Sequence, residues 1–197
     1  MSAKASFKAF LLNISPRLFD KYLPVYRKSY DQYWSGTVAE KYREGVYARQ
    51  KKDGTKPLTE NPTVTEIRMA FDRYQPKSVL EVGCGWGRLL EELTPFYTIE
   101  GCDLSEEYLQ RIPDGTRVFR CDIVREEPPG RWDIVFTRAV MQYFVNDDST
   151  LRNAMEHMEK VANKKVIVWE WKHVCERMKE VYPSDTFEYY VMKYKDE

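Results

Sequence analysis

VLEVGCGWGRLLEEL (79–93) is the stretch on which the reading of the whole chain turns. An apolar, β-branched strand, VLEV, runs straight into Gly83, Gly85 and Gly87 and from there into RLLEEL, whose leucine spacing is helical. Such a turn is expected to leave main-chain N–H groups unobstructed at the carboxyl end of the strand, where a ligand can approach the backbone. The third glycine of a dinucleotide-binding G-x-G-x-x-G would fall at position 88, which is Arg88, so a pyrophosphate fingerprint is not met. No Lys followed by Ser or Thr is present here, which excludes a P-loop. The pattern that does fit is E-x-G-x-G-x-G, beginning at Glu81.

On either side of this turn, short β-branched runs alternate with helical ones. KSVLEV (77–82) leads to a helix over about 86–95, then YTIEGC (97–102) and a short helix opening at Ser105. TRVFRC (116–121), WDIVFT (132–137), a helix over about 150–162 and KVIVWEW (165–171) follow. Strand and helix repeated in this way predict a parallel sheet with right-handed crossovers. Val79, Leu80 and Val82, like Val166, Ile167 and Val168, make near-continuous apolar runs, as expected of strands covered on both faces. After a helix over about 174–181, Phe187, Tyr189 and Val191 alternate with Glu188, Tyr190 and Met192. That period of two is read as a half-exposed strand, antiparallel or at an edge.

Ahead of the sheet, residues 1–62 read as a helical leader. Pro24 suits a first helical turn, and Thr37 to Glu40 and Thr63 to Glu66 both fit the T-x-x-E capping box. Tyr22, Tyr26, Tyr30, Tyr33 and Trp34 form an aromatic stripe at helical spacing, suited either to packing on the body or to a lid over a pocket.

The 197 residues are 43% hydrophobic and 31% charged, the composition of an ordinary globular domain, and disorder throughout is excluded. Thirty-one Lys and Arg balance thirty-one Asp and Glu, but unevenly: residues 1–60 carry twelve against six, a net of +6, leaving −6 for the rest. A basic leader of this kind either meets an anion such as nucleic acid or lies beside its own acidic body. No early apolar stretch reaches the length of a secretory or membrane-spanning segment. Cys84, Cys102, Cys121 and Cys175 form no C-x-x-C pair and no zinc-ligand spacing, so reduced thiols, a cytoplasmic protein and no metal are expected.

Twenty-two residues after Glu81, Asp103 ends the second strand, where an acidic side chain can accept both hydroxyls of a ribose. The third strand ends in Cys121-Asp122-Ile123 and the fourth in TRAVMQYF, so four consecutive strand ends outline one crevice at the ligand-binding edge of an open parallel sheet.

Over residues 63–170 these motifs, in order and spacing, resemble the class I S-adenosylmethionine-dependent methyltransferases of the small methyltransferase-domain type. The resemblance implies a Rossmann-like, doubly wound, mostly parallel sheet in an α-β-α sandwich. With it go the helical leader (1–62) as a lid packed on a cofactor-binding domain (63–197), and an antiparallel strand at the C-terminus. It implies that Glu81, Gly83, Gly85 and Gly87, with Cys84 and Arg88 in the same turn, hold the methionine end of the cofactor. Asp103 would take the ribose, Leu104 one face of the adenine, and Asp122 with Ile123 its amino edge. Thr137 and Arg138 would border the sulfonium, with Val140 and Tyr143 facing the transferred methyl. Members of the family usually close the sheet with an antiparallel hairpin; only 26 residues follow Trp171 here, so a strand is expected to be missing.

Methyl transfer needs mainly alignment, and a hydroxyl or amide acceptor needs a base or stabiliser as well. Tyr143, Arg138, His173 and Glu170 are the candidates for orienting or activating an acceptor, while His157 in mid-helix reads as packing. No N/D-P-P-Y/F tetrapeptide and no Pro-Cys follow the fourth strand, which disfavours adenine, cytosine-amino, glutamine and cytosine-C5 methylation. Trp86 either lies against the cofactor or caps the helix start. The expected activity is methylation of an oxygen or nitrogen of a small molecule. The alternatives are a nucleic-acid methyltransferase using the basic leader, or a non-catalytic cofactor-binding partner subunit.

Overall fold

The computed structural model describes residues 63–192. The capping box at 37–40, the aromatic stripe and the lid expected of residues 1–62 lie outside the described residues, as does the end of the chain from 193.

Thr63 opens helix α1 (Val64–Asp72) with the reciprocal bonds of a capping box: its hydroxyl accepts from Glu66 N (3.2 Å) and its own N–H donates to Glu66 Oε2 (2.7 Å). Such a cap stabilises a helix start by about 1 kcal/mol. The elements that follow are β1 (Val79–Val82), α2 (Arg88–Leu93), β2 (Ile99–Asp103), α3 (Glu106–Leu109), β3 (Val118–Arg120) and β4 (Trp132–Arg138). After a single 3₁₀ turn (Met141–Tyr143) come α4 (Asp148–Val161), β5 (Ala162–Glu170), α5 (Lys172–Val181) and β6 (Phe187–Val191). The strands form one sheet in the order β3-β2-β1-β4-β5-β6, every pair parallel. The order reverses between β1 and β4, so their carboxyl ends diverge to leave a crevice.

The apolar runs divide residue by residue between the two faces. Leu80, Val82, Val135, Val166 and Val168 pack under Leu151, Met155 and Met158 of α4 and Val174 and Met178 of α5. Val79, Ile134, Phe136, Ile167 and Trp169 pack under Ile67 and Phe71 of α1 and Leu89, Leu90 and Leu93 of α2. Phe71 meets Phe136 edge-on at 5.5 Å, with both rings fully buried. These covered faces explain why the strands read as continuous hydrophobic runs.

The last strand corrects an expectation. β6 is parallel to β5, with Val166 opposite Phe187 and Glu170 opposite Val191, and not antiparallel. The reason lies in α5, which carries the chain from the carboxyl end of β5 back to its start, as a parallel connection requires. The strand does lie at an edge, the other half of the reading, and its alternation has its own source. Phe187 joins the core beneath α4 and α5, while Tyr190 on the opposite face stacks on Trp169 at 4.3 Å. Arg73 and Tyr74, directly after α1, both reach Glu188, tying this edge to the end of the first helix. Among the described residues β6 and β3 are the two edge strands, and no helix is long and apolar enough to cross a membrane.

Candidate functional site

The turn after β1 is held in shape by its own hydrogen bonds. Gly83 N and Cys84 N both donate to Cys102 O (2.8 and 3.0 Å), Gly87 N to Cys84 O (3.0 Å), and Gly85 N to Asp103 Oδ2 (2.9 Å). The expectation of unobstructed N–H groups is therefore corrected at these four positions, whose donors are already used within the chain. The glycines serve conformation and close approach. Gly83 has φ +75°, and a Cβ there would lie 2.3 Å from Val140 Cγ2, so the turns after β1 and β4 are interlocked through the missing side chain. At Gly85 (φ +56°) a Cβ would meet nothing within 4 Å among the described residues, which leaves the bare main chain uncovered by them.

Asp103 ties the turn to the end of β2. Its Oδ1 accepts from Ser105 N (2.8 Å), and burial raises its pKa against the pull of the amides of Ser105, Gly85 and Leu104. Two carboxylate oxygens offer roughly four lone-pair positions, more than the three amides that act on them, which leaves acceptor capacity for a hydroxyl. Leu104 follows it, half-buried. Glu81 at the end of β1 is buried, and its Oε2 has no partner. Burial pushes its pKa up to about 8, while the charges of Arg138 and Arg88 pull it down and Asp103 pushes it up. A buried carboxyl with one unused oxygen suits a cationic ligand group.

Asp122 lies two residues past the end of β3. Its Oδ1 accepts from Val124 N (3.2 Å), its Oδ2 lies 3.5 Å from Arg125, and Ile123 turns its side chain into the core. Thr137 is fully buried with its hydroxyl donating to Val82 O (3.1 Å), so it knits β4 to β1 beneath the crevice. Beyond Arg138 the chain turns over at Ala139 (φ +56°), a left-handed conformation that is costly for a residue with a Cβ. Val140 contacts the glycine turn, and Tyr143, half-buried, packs at the margin of the α4 core.

Glu170, a candidate for orienting or activating an acceptor, has one of its oxygens tied to main chain. It is fully buried at the end of β5, and its Oε1 accepts from Met141 N (2.6 Å) across the sheet edge. Burial raises its pKa to about 8 against the main-chain amides of Met141, Val140, Gln142 and Trp171. His173 is exposed on the first turn of α5, and His157 bonds Ile123 O through Nδ1 (2.8 Å), the packing role expected of it. Trp86 sits edge-on to Tyr108 at 5.6 Å. All four cysteines are free and buried. A hydrogen bond with Cys121, then burial, raises the Cys102 thiol, and burial raises that of Cys84, which makes them poor nucleophiles. Among the described residues no group of His, Cys, Asp and Glu is arranged to hold a metal.

The structure thus joins Glu81, the glycine turn with Cys84 and Arg88, Asp103 and residues 137–143 around one sheet edge, with Asp122 and Ile123 two strands along. Three features went unread in the sequence: the interlock of Gly83 and Val140, the strained Ala139, and a bridge from Trp171 Nε1 to Gln142 Oε1 (3.1 Å). Of these only the glycine had a sequence signal.

Residues 63–171 match the family model of a methyltransferase domain. No curated protein sequence matches the chain. Among solved structures, the magnesium protoporphyrin IX methyltransferase of Synechocystis PCC 6803, with bound SAM, superposes with a TM-score of 0.57 at 17% identity, over 76% of this chain and 80% of that one. An amino pentose methyltransferase from Micromonospora echinaspora involved in calicheamicin biosynthesis, also SAM-bound, gives 0.53 at 18% identity, over 64% and 57%. A sugar N-methyltransferase from Streptoalloteichus sp ATCC 53650 gives 0.50 at 18% identity, over 60% and 48%. The chain spans little more than half of the amino pentose enzyme and about half of the sugar N-methyltransferase. At these identities the likeness is one of fold.

Proposed function

The chain belongs to the methyltransferase-domain family, and from that premise we propose that it transfers a methyl group from S-adenosylmethionine to an oxygen or nitrogen of a small-molecule acceptor. The observation that carries this reading is the pairing of an open glycine main chain at Gly85 with two carboxyls on adjoining strand ends, the buried Glu81 and the half-buried Asp103. Each meets a different chemical demand of such a cofactor.

Once ionised, Glu81 takes the ammonium group of the methionine end through its unpartnered oxygen. Asp103 accepts the ribose hydroxyls while its amide bonds hold it in place, Leu104 covers one adenine face, and Asp122 with Ile123 borders the amino edge. Bound there, the cofactor supplies an electrophilic methyl on a sulfonium. Holding an acceptor in line with that methyl is worth roughly 7–11 kcal/mol of barrier, so positioning does most of the catalysis. Tyr143 and Val140, on the turn after β4, orient the acceptor, and Arg138 keeps the charge of the ionised Glu81 balanced. The amino pentose and sugar N-methyltransferase relatives make sugar amines the first acceptors to screen.

The test is calorimetric titration with S-adenosylhomocysteine, on the wild type and on Asp103→Asn, which keeps the shape and one acceptor oxygen. Micromolar binding that weakens at least tenfold in the variant supports the reading, and no wild-type binding overturns it. Turnover on sugar amines that persists in high salt supports a small-molecule acceptor. Turnover found only on RNA or DNA, and lost steeply with salt, overturns that part.

A further inference from the structure

Glu170 is the one charged residue in the buried half of β5, within the run VIVWE, where the sheet is otherwise apolar. A carboxyl is costly in such a place unless it is bonded, and what bonds it here is main chain. Its Oε1 receives Met141 N at 2.6 Å, and the amides of Val140, Gln142 and Trp171 also act on it. One amide of the turn after β4 is thus bonded to a side chain delivered by the next strand, and its two neighbours favour the charged form of the same carboxyl, whose Oε2 has no partner among the described residues. The same turn starts at Ala139, whose left-handed backbone costs roughly 1–2 kcal/mol and persists only when its surroundings hold it. Ala139 N donates to Trp169 O (3.0 Å), Gln142 Nε2 to Ala139 O (2.8 Å), and Trp171 Nε1 to Gln142 Oε1 (3.1 Å). The end of β5 therefore clamps the turn from three points, with Glu170 at the centre.

What the turn does once clamped is visible at Val140. Its Cγ2 fills the space that a side chain at Gly83 would occupy, 2.3 Å from the ideal Cβ position, so the placement of Val140 limits how the glycine turn can sit. Building on the cofactor reading above, we infer that Glu170 is a positioning residue for cofactor binding, acting through the turn it caps and through Val140 on the glycine turn. It touches neither cofactor nor acceptor. Its chemistry is that of an internal anchor: it offers an acceptor oxygen to amides that would otherwise face an apolar strand end.

Two substitutions separate the anchor from mere packing. Glu170→Gln keeps the carbonyl acceptor, whereas Glu170→Leu fills the same volume without it. Affinity for S-adenosylhomocysteine, measured calorimetrically on the full chain, is expected to stay within about threefold of wild type in the Gln variant and to fall at least tenfold in the Leu variant. In a Val140→Ala background the Leu substitution should cost little more, because the route to the glycine turn is already cut. A structural role alone would lower the melting temperature without this coupling. Equal affinities for the Gln and Leu variants, or a Leu penalty unchanged by Val140→Ala, overturn the inference. Should Glu170→Leu fail to fold, Val140→Ala alone decides it: a loss of about tenfold supports the route, and an unchanged affinity overturns it. A wild type that binds no S-adenosylhomocysteine overturns the cofactor reading and this inference together. A binding wild type beside insensitive variants removes only the inference.

Discussion

The carboxyl ends of β1 and β5 each bury one glutamate, Glu81 and Glu170, and burial pushes both to about 8, yet their neighbours differ. Glu81 faces the charges of Arg138, Arg88 and Asp103 and adjoins a glycine turn left uncovered by the described residues at Gly85. Glu170 faces the amides of its own chain, one of them bonded at 2.6 Å. The same residue type at equivalent ends of parallel strands is proposed to serve a ligand in one case and a turn in the other. Each keeps a buried Oε2 without a hydrogen-bond partner among the described residues, and Glu170 differs in that its Oε1 is taken up by Met141 N.

The largest expected effect comes from breaking the interlock between these two ends. Gly83→Ala adds a Cβ that overlaps Val140 Cγ2 on a left-handed backbone. The expected loss is about 3 kcal/mol of stability by denaturant titration, together with cofactor affinity. Adding Val140→Ala should relieve the overlap and leave only the backbone part, about 1 kcal/mol. Gly85→Ala sharpens the contrast: with nothing within 4 Å among the described residues it loses only about 1 kcal/mol of stability, but its methyl intrudes on the ligand side. Its affinity for S-adenosylhomocysteine should fall at least tenfold.

Next in size is a pH dependence that separates the two carboxyls. Glu81 must ionise to hold an ammonium, and it is protonated below about 8. Affinity for S-adenosylhomocysteine should therefore rise up to about tenfold per pH unit between pH 6 and 8. Glu81→Gln should flatten that rise and Glu170→Gln should leave it in place.

Stability without ligand runs the other way. Both groups have folded pKa values raised from 4.5 to about 8, so the folded state holds these protons longer than the unfolded one. The stability is fully present below about pH 4.5 and is lost as pH rises through about 8. A melting temperature that falls between pH 5.5 and 8.5, with about half of the fall removed by Glu170→Gln, is the expected result. Smallest of all, His173→Ala should change neither stability nor cofactor affinity, since its ring is exposed on α5.

The same contrast marks what the sequence disclosed. The β1 end was legible because its information is local: glycines at fixed spacing after an apolar strand, with an acid at the end of the next strand. What those glycines do was misread, since the amides of Gly83, Cys84, Gly85 and Gly87 are spent internally, and for the first three only partners on the next strand reveal that. At the β5 end Glu170 stood out as a charge in an apolar run, but its partners lie 29 residues earlier on a turn without glycine. No local pattern signals that Ala139 takes a left-handed backbone, because the clamp that enforces it comes from β5 and the segment after it. The parallel β6 was within reach, because the helix between the last two strands already required a crossover; side-chain alternation outweighed connectivity in that reading.

The most direct test of the division of labour between Glu81 and Glu170 is the number of protons released on binding S-adenosylhomocysteine at pH 7. It is read from calorimetric titrations in two buffers of different ionisation enthalpy. Release of about one proton by the wild type and by Glu170→Gln, and almost none by Glu81→Gln, is predicted. Binding without proton release, or a release abolished by Glu170→Gln and kept by Glu81→Gln, would contradict it.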